Sequence, residues 1–152
     1  MEIRIANERD IDGWMCLVSK VKNSFPGLKT KDSLDEHRDT VLDFIHKESA
    51  ICAKIEERIV GALLFSKDLS MLCFLAVDPA YRRGHIAEKM VSYMLRFLDP
   101  KRDVVVTTYR EGTPEGIAAR AFYKHFGFAE GKLTEEFGSP VQEFVLYRSS
   151  GR

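Results

Sequence analysis

The first third of the chain passes from a strand-like to a helix-like pattern of hydrophobic residues. Apolar and polar residues alternate over EIRIA at 2–6, which predicts a β-strand. Apolar residues then recur at helical spacing at Ile11, Trp14, Met15 and Val18. Asn7 can cap that helix, a loop rich in Pro, Gly and polar residues follows at 23–33, and a second helix is predicted over 34–48.

The remainder of the chain alternates strands with helices. The pattern predicts strands at 50–55, 58–65, 69–77, 104–109, 128–133 and 141–148, and helices at 85–98 and 115–126. The 69–77 strand is unusually apolar, which is typical of the centre of a sheet covered on both faces. The order βααβββαβαββ predicts an α/β fold with a mostly antiparallel first half. Since no repeat or linker interrupts it, we expect one domain over 1–148 and a C-terminal tail at 149–152.

Composition narrows the classes of function. The 152 residues include 23 Lys and Arg and 23 Asp and Glu, so the formal net charge is zero. We therefore expect no nucleic-acid partner, because phosphate binding needs clustered positive charge. Cys16, Cys52 and Cys73 form no CxxC pair and lie in apolar segments, so we expect buried, reduced thiols. The chain shows no secretory signal and no apolar run as long as a membrane span, so we expect a cytoplasmic protein with no membrane partner.

One local anion site is predicted in VDPAYRRGHIAEKM, residues 77–90, where a strand turns into a helix. The first turn of a helix presents unpaired backbone N–H groups and the positive end of the helix dipole. Arg82 and Arg83 can add charge and forked donors, and Gly84 lets the backbone approach a phosphate. Surface arginines near a helix start are also common, so the corner alone leaves both interpretations open.

The wider segment LAVDPAYRRGHIAEKMV resembles the central acetyl-CoA motif of the GNAT superfamily of N-acetyltransferases. There, a strand ending like L-A-V-x-P-x-Y-R leads into Q/R-x-x-G-x-G/A and a helix. Arg82 takes the Q/R position and Ala87 the last one, whereas His85 replaces the middle glycine, with Gly84 one place earlier. The His85 side chain crowds a pyrophosphate, donates to it, or is an ordinary exposed histidine at a helix start. The resemblance implies these cofactor-binding residues: Leu75, Ala76, Val77, Arg82, Arg83, Gly84, His85, Ile86 and Ala87.

A second segment, GIAARAFYKHFGF at 116–128, is similar to a later motif of the same family, roughly N-x-x-A-x-x-F/L-Y-x-x-x-G-F. Gly116 stands where asparagine is common. Helical spacing places Gly116, Ala119 and Tyr123 on one face, where small residues leave room for pantetheine and the Tyr123 hydroxyl lies near its sulfur. Phe122 and Phe126 are expected to turn toward the core. An aromatic stripe packed in a core is the alternative interpretation of this segment.

Together the two motifs imply a single GNAT-like domain, with a mixed, mostly antiparallel central sheet and helices on both faces. They also imply that acetyl-CoA is the co-substrate, that no metal takes part, and that a primary amine attacks the acetyl group directly in a ternary complex. In the family a bulge in the fourth strand frees backbone groups that stabilise the oxyanion, which points to Leu75–Val77 here. The resemblance makes Tyr123 the catalytic group that protonates the departing thiolate.

The general base and the acceptor remain open at this stage. Many relatives have a carboxylate just before the F-L-A-V segment, but Cys73 stands there. Glu111, a water chain to bulk solvent, or an acceptor with a low pKa can each replace it. By resemblance, 23–33 and 131–141 frame the acceptor pocket. Side chains that can meet an amine there, or form an ordinary solvated surface, are Phe25, Tyr109, Glu135 and Glu136.

Three hypotheses follow for the activity. A small-molecule amine is the favoured acceptor, and a protein or peptide N-terminus is the alternative, which an open groove would favour. The third hypothesis is a non-catalytic acyl-CoA-binding module, suggested by Cys73 and His85. Turnover of any amine would exclude it. The sequence does not indicate the oligomeric state.

Overall fold

A single seven-stranded sheet organises the molecule in this computed structural model, which describes residues 1–25, 28–136 and 138–148. The tail predicted at 149–152 and the Arg83 side chain lie outside the described part of the chain. The strands are β1 (Glu2–Ile5), β2 (Ala50–Ile55), β3 (Arg58–Ser66), β4 (Met71–Val77), β5 (Val104–Tyr109), β6 (Ala129–Glu136) and β7 (Ser139–Leu146). The helices are α1 (Ile11–Val21), α2 (Lys31–His46), α3 (Ile86–Leu95) and α4 (Ile117–Phe126).

The strand order β1-β2-β3-β4-β5-β7-β6 confirms the predicted fold class. Every neighbouring pair is antiparallel except β4 and β5, which are parallel. Parallel neighbours need a crossover connection, and the chain from β4 to β5 contains α3. β4 has three strands on each side, so the most apolar predicted strand is central, as expected.

Two hydrophobic cores lie on the two faces of the sheet. Side chains of α3 and α4 pack in one core with Ile51, Ala53 and Val60, while side chains of α1 and α2 pack in the other with Ala50 and Cys52. This alternation follows from the two-residue period of a strand, and it explains why β2 and β3 are apolar at consecutive positions. Within the described ranges, no helix is long and apolar enough to cross a lipid bilayer.

The starts of the first two helices differ slightly from the predictions. Asn7 caps a 3₁₀ turn, Glu8–Asp10, and α1 begins only after it. The Asp10 carboxylate accepts from the Asn7 N–H at 2.8 Å and from Arg4 at 2.8 and 2.9 Å, which closes the turn. α2 begins three residues before the predicted 34, because Thr30 caps it.

The predictions for the cysteines and the last hairpin need correction. Cys52 is buried, but Cys16 and Cys73 are exposed, because one lies on the outer face of α1 and the other in an irregular part of β4. β6 extends to Glu136, beyond the predicted 133. β6 is an edge strand held mainly by pairing with β7, so its sequence is polar and lacks the hydrophobic alternation that would have marked its full length.

His37 of α2 is a half-buried titratable group between the helices and the sheet. Its Nε2 accepts from Trp14 Nε1–H at 3.4 Å, and its ring centroid lies 4.7 Å from that of Phe74 on β4. Burial opposes the charged imidazolium and lowers the pKa of His37 from 6.5 to about 4. The imidazole is therefore neutral at pH 7.

This burial predicts a pH dependence of stability. Between pH 6.5 and pH 4 the unfolded chain binds a proton at His37 that the folded chain does not, so stability falls as the pH falls. The expected contribution is about 2 kcal/mol between pH 8 and pH 5. Denaturant unfolding at several pH values should show a smaller loss for His37→Gln, whose amide oxygen can still accept from Trp14. Equal losses for the two proteins would contradict the assignment.

Candidate functional site

The central feature of the site is an opening between β4 and β5. Among the described residues the two strands pair at one position, Met71 with Val105, supported by a hydrogen bond from Val105 N–H to the Ser70 carbonyl at 3.1 Å. Beyond that pair, β4 remains bonded to β3 and β5 to β7. The sheet is therefore split along the C-terminal halves of its two central strands.

A bulge in β4 lies at the closed end of this opening. Phe74 pairs with Leu64 and Leu72 pairs with Phe65, which leaves Cys73 as the extra residue on β4. A bulge bends its strand and increases the local twist. This irregularity accordingly coincides with the point where β4 leaves β5.

The direction of the β4 amides follows from the pairing with β3. Asp78 N–H donates to the Val60 carbonyl at 2.8 Å, so Asp78, and by alternation Ala76, direct their backbone groups toward β3. Leu75 and Val77 then direct theirs into the opening. Of the three residues predicted to offer backbone groups, Leu75 and Val77 direct theirs away from β3, whereas the Ala76 amide faces β3.

Asp78 fixes the corner that follows β4. Its carboxylate accepts from Ala80 N–H at 3.0 Å and from Lys20 Nζ at 3.0 Å, which links the corner to α1. Burial opposes ionisation of Asp78, but these two donors outweigh it and hold its pKa below the usual value. The corner is therefore anchored by a buried carboxylate.

The first turn of α3 presents the backbone groups expected of an anion site. Lys89 N–H donates to the His85 carbonyl at 3.0 Å, so the N–H groups of 86–88 precede the regular helical ladder. The predicted residues around them differ in exposure. Arg82, Gly84 and His85 are exposed, Ala87 is half-buried, and Ile86 is buried in the core beneath.

His85 has a backbone conformation that explains the glycine usual at this position. Its φ of 58° and ψ of 28° lie in the left-handed region, which costs a residue with a Cβ about 1 kcal/mol or more. The imidazole is 76% exposed, and its Nδ1 lies 3.4 Å from Glu88 Oε2. The backbone thus keeps the shape of the motif while the side chain lies beside Glu88.

Gly116 is required by packing against β5. A Cβ at this position would lie 2.4 Å from the Tyr109 Cβ. The space that the sequence assigned to pantetheine is therefore filled, at the Cβ position, by Tyr109. Ala119 is half-buried and packs against the core that α3 and α4 share.

Among the aromatic residues of α4, Tyr123 is the most buried. Tyr123 is only 5% exposed, whereas Phe122 and Phe126 are half-buried. The centroid of the Tyr123 ring lies 5.5 Å from that of Phe128 and 5.9 Å from that of Phe144. The Tyr123 ring therefore packs in the core, as in the alternative interpretation of an aromatic stripe, and Phe122 and Phe126 pack against the same core. Burial raises the pKa of Tyr123 far above its usual value, so the phenol stays protonated.

The acidic candidates differ in burial and in hydrogen bonding. Glu111 and Glu135 are exposed, while Glu136 is half-buried and accepts from Thr107 Oγ1 at 2.7 Å. Sequence analysis missed Thr107, although a hydroxyl within the apolar strand VVVTTY was the available signal. Within the described ranges, no cluster of three or more His, Cys, Asp or Glu side chains has a geometry that could hold a metal ion.

The aromatic candidates also fall into two places. Phe25 packs against Phe74 with ring centroids 4.8 Å apart, on the α1–α2 side of the sheet. Tyr109 lies at the end of β5, where burial and then the Glu115 charge raise its pKa. The predicted acceptor frame therefore has an aromatic part beside β4 and an acidic part at the β6–β7 hairpin.

The strain at His85 is testable. His85→Gly should raise the free energy of unfolding by roughly 0.5–1 kcal/mol, because relief of the left-handed strain exceeds the extra entropy of an unfolded glycine. His85→Ala removes the same ring but retains a Cβ, so it should give no such gain. Chemical denaturation of the three proteins measures the difference. Equal stability of the glycine and alanine variants would show that the backbone at this position is unstrained.

Comparison with known proteins agrees with this architecture. A GNAT-family acetyltransferase from Bacillus cereus superposes with a TM-score of 0.74 at 19% identity, over 97% of this chain and 96% of that one. PaiA N-acetyltransferase from Thermoplasma acidophilum, solved in complex with coenzyme A, gives 0.68 at 15% identity, over 93% and 96%. A ribosomal-protein-alanine N-acetyltransferase from Brucella melitensis gives 0.70 at 14% identity, over 95% and 98%.

At these identities the structural likeness establishes the fold alone. No curated protein sequence is significantly similar to this chain. The sequence model of the acetyltransferase (GNAT) family matches residues 15–128, about three quarters of the chain. The chain therefore belongs to the GNAT family of acetyltransferases.

Proposed function

We propose that this protein transfers the acetyl group of acetyl-CoA to the primary amine of a small molecule, by direct attack in a ternary complex. The observation that supports this most is the opening between β4 and β5. It leaves the amides of Leu75 and Val77 unpaired by β5, close in sequence to the first turn of α3 and to Arg82.

The residues of the corner suit a pyrophosphate. The N–H groups of 86–88 and the positive end of the α3 dipole favour an anion, and the exposed Arg82 can add a charge-assisted hydrogen bond. Gly84 would tolerate a Cβ, since its nearest neighbour would be Ile86 at 3.6 Å. Gly84 would therefore contribute an exposed backbone to phosphate binding, and this position does not need a conformation that only glycine can adopt.

The exposed edge of β4 suits an extended amide-containing arm. Leu75 and Val77 can pair with such an arm as a strand pairs with its neighbour, and a fixed N–H there can stabilise the oxygen that gains charge during attack. Acetyl-CoA, when bound, supplies the thioester that the amine attacks. PaiA N-acetyltransferase, which shares the fold, was solved in complex with coenzyme A, and this supports the choice of co-substrate.

We assign Tyr123 as the proton donor to the departing thiolate. Its phenol is kept protonated by burial, and it packs in the same core against which Leu75 also packs. A raised pKa makes a weaker acid, so the transfer needs negative charge to develop on sulfur as the carbon–sulfur bond breaks.

A small amine is favoured over a macromolecular acceptor. Phe25 and Phe74 offer an aromatic surface beside the bulge, and a formal net charge of zero gives the chain no overall attraction for a basic protein tail. A peptide N-terminus is the second candidate, since one structural neighbour is a ribosomal-protein-alanine N-acetyltransferase. Thiol release with 2-phenylethylamine, spermidine and a peptide beginning with alanine would decide between them. Turnover of the peptide alone would reverse our choice, and no turnover with any acceptor would favour a non-catalytic module.

Removing the corner charges tests the co-substrate site. Arg82→Ala combined with Arg83→Ala should weaken CoA binding by roughly 1–3 kcal/mol, the scale for losing charge-assisted hydrogen bonds. Arg96→Ala is a control for the loss of one positive charge at the opposite end of α3, where the Arg96 Cζ lies 5.4 Å from the centroid of the Tyr93 ring. Calorimetry giving equal CoA affinity for all three proteins would refute the assignment.

Tyr123→Phe tests the proton donor. The variant keeps the ring and its contacts with Phe128 and Phe144, so folding and CoA affinity should change little. Turnover should fall by roughly ten- to a thousand-fold, at or just below the range for a positioned acid. Pre-steady-state thiol release isolates the chemical step. An unchanged rate there would make Tyr123 a packing residue and water the proton source.

A further inference from the structure

Cys73 occupies the position where many relatives have a carboxylate, and it cannot replace one. Although the side chain is exposed to solvent, the surrounding protein partly desolvates the thiol and the Glu136 charge opposes the thiolate, so its pKa rises to about 11. At neutral pH the group is therefore a protonated thiol. The proton of an acceptor ammonium needs another destination.

Glu136 brings a carboxylate toward the opening between β4 and β5 from a different strand, β6. β6 is separated from β5 by β7, yet Glu136 Oε2 accepts from Thr107 Oγ1 of β5 at 2.7 Å. The charge of Glu136 also acts on Cys73 of β4. The carboxylate is thus hydrogen-bonded to β5, and its charge acts on β4 across the opening.

The hairpin that carries Glu136 is tied to the end of β5. Arg110 donates to the Thr134 carbonyl at 2.8 Å and to the Val141 carbonyl at 3.1 Å, one acceptor on each strand of the hairpin. A register shift between Glu130 and Leu133 makes the pairing of β6 with β7 irregular. The hairpin end is therefore fixed next to the opening by hydrogen bonds from the Arg110 side chain, which do not depend on Glu136 itself.

The face of the sheet on which Thr107 lies gives the direction of approach. Val104 and Val106 are buried in the core beneath α3 and α4, so by alternation Thr107 projects from the opposite face. Phe74 packs on that opposite face with Phe25. Glu136 therefore reaches the opening from the α1–α2 side. An acceptor bound on that side would not compete with CoA bound at the α3 corner.

Glu111, Glu135 and His37 are less suited to accept a proton. Glu111 and Glu135 are exposed, and Glu135 alternates with Glu136 along β6, so its side chain leaves the strand in the opposite direction. His37 uses Nε2 to accept from Trp14, and its pKa near 4 makes it a weak base.

We propose that Glu136, positioned by Thr107, binds the ammonium group of the acceptor and accepts its proton. This assignment rests on the proposed acetyl transfer. It defines the acceptor as a primary amine that enters from the α1–α2 face as a cation, with its apolar part near Phe25 and Phe74.

The protons balance as follows. One proton passes from the ammonium nitrogen to the Glu136 carboxylate and then to water, which leaves a neutral amine. The amine nitrogen bonds to the acetyl carbon and the carbon–sulfur bond breaks. The nitrogen loses a second proton and the thiolate gains one, so the net reaction releases one proton to solvent.

The experiment compares two nucleophiles that differ in whether they need deprotonation. An alkyl amine such as 2-phenylethylamine is mostly protonated at pH 7, whereas methoxyamine is mostly neutral there. Glu136→Gln should lower kcat/KM by roughly 10²- to 10⁴-fold with whichever of 2-phenylethylamine and spermidine turns over faster, and by about tenfold or less with methoxyamine. Raising the pH should recover part of the loss with the alkyl amine.

Two further variants separate positioning from folding. Glu135→Gln is the matched control and should stay within about threefold of the wild-type rate with both nucleophiles. Thr107→Val removes the 2.7 Å hydrogen bond and should cause a smaller loss than Glu136→Gln, again larger with the alkyl amine. CoA affinity should be unchanged in all three variants.

Three possible results of these measurements lead to different conclusions about Glu136 and about acetyl transfer. Equal losses with both nucleophiles in Glu136→Gln would indicate a structural role and overturn this assignment while leaving acetyl transfer intact. A wild-type protein that binds CoA but releases no thiol with any amine would overturn the proposed function and Glu136 with it. Loss of the alkyl amine reaction in Glu135→Gln instead would place the proton acceptor at Glu135.

Discussion

The site depends on one interruption of backbone hydrogen bonding. β4 and β5 are neighbours at the centre of the sheet, yet among the described residues they pair only through Met71 and Val105. Unpaired backbone groups inside a protein are costly, so a sheet normally completes such pairing. Here the N–H and carbonyl groups of Leu75 and Val77 are not paired by β5, and an exposed strand edge of this kind can pair with an extended ligand.

Each side of the opening is anchored by a buried charged group, so that it stays open without pairing. On the β4 side, Asp78 connects the strand end to Lys20 of α1. On the β5 side, Arg120 of α4 is 6% exposed and donates to the Tyr109 carbonyl at 2.9 Å and to Gln142 of β7 at 2.7 Å. Arg120 also pairs with Glu130 of β6. The strands are therefore held by separate helices, which resists the collapse of one strand on the other.

The sequence was sufficient for the order of elements and for the location of the corner, because both depend on local patterns. Hydrophobic period and breakers place β4 and α3, and the motif around Arg82 identifies the family. The glycine that the motif has at this position indicated the left-handed backbone that His85 adopts.

What the sequence did not predict arises from contacts between distant segments. The exposure of Cys73 follows from a bulge that appears only when β3 and β4 pair. The burial of Tyr123 follows from Phe128 and Phe144, which lie outside its helix. The contact of Glu136 with Thr107 joins residues 29 positions apart through the geometry of a hairpin. Periodicity along one segment contains none of this information.

The two faces of the split sheet also have a kinetic consequence. Under the proposed assignments the donor lies against the α3 corner and the acceptor enters from the α1–α2 side, so the two reactants use separate entrances. Neither needs to leave before the other arrives, and neither blocks the exit of the other's product. An inhibitor that linked both substrates would therefore have to pass through the sheet between β4 and β5. The sheet itself therefore acts as the partition at which the two half-sites meet.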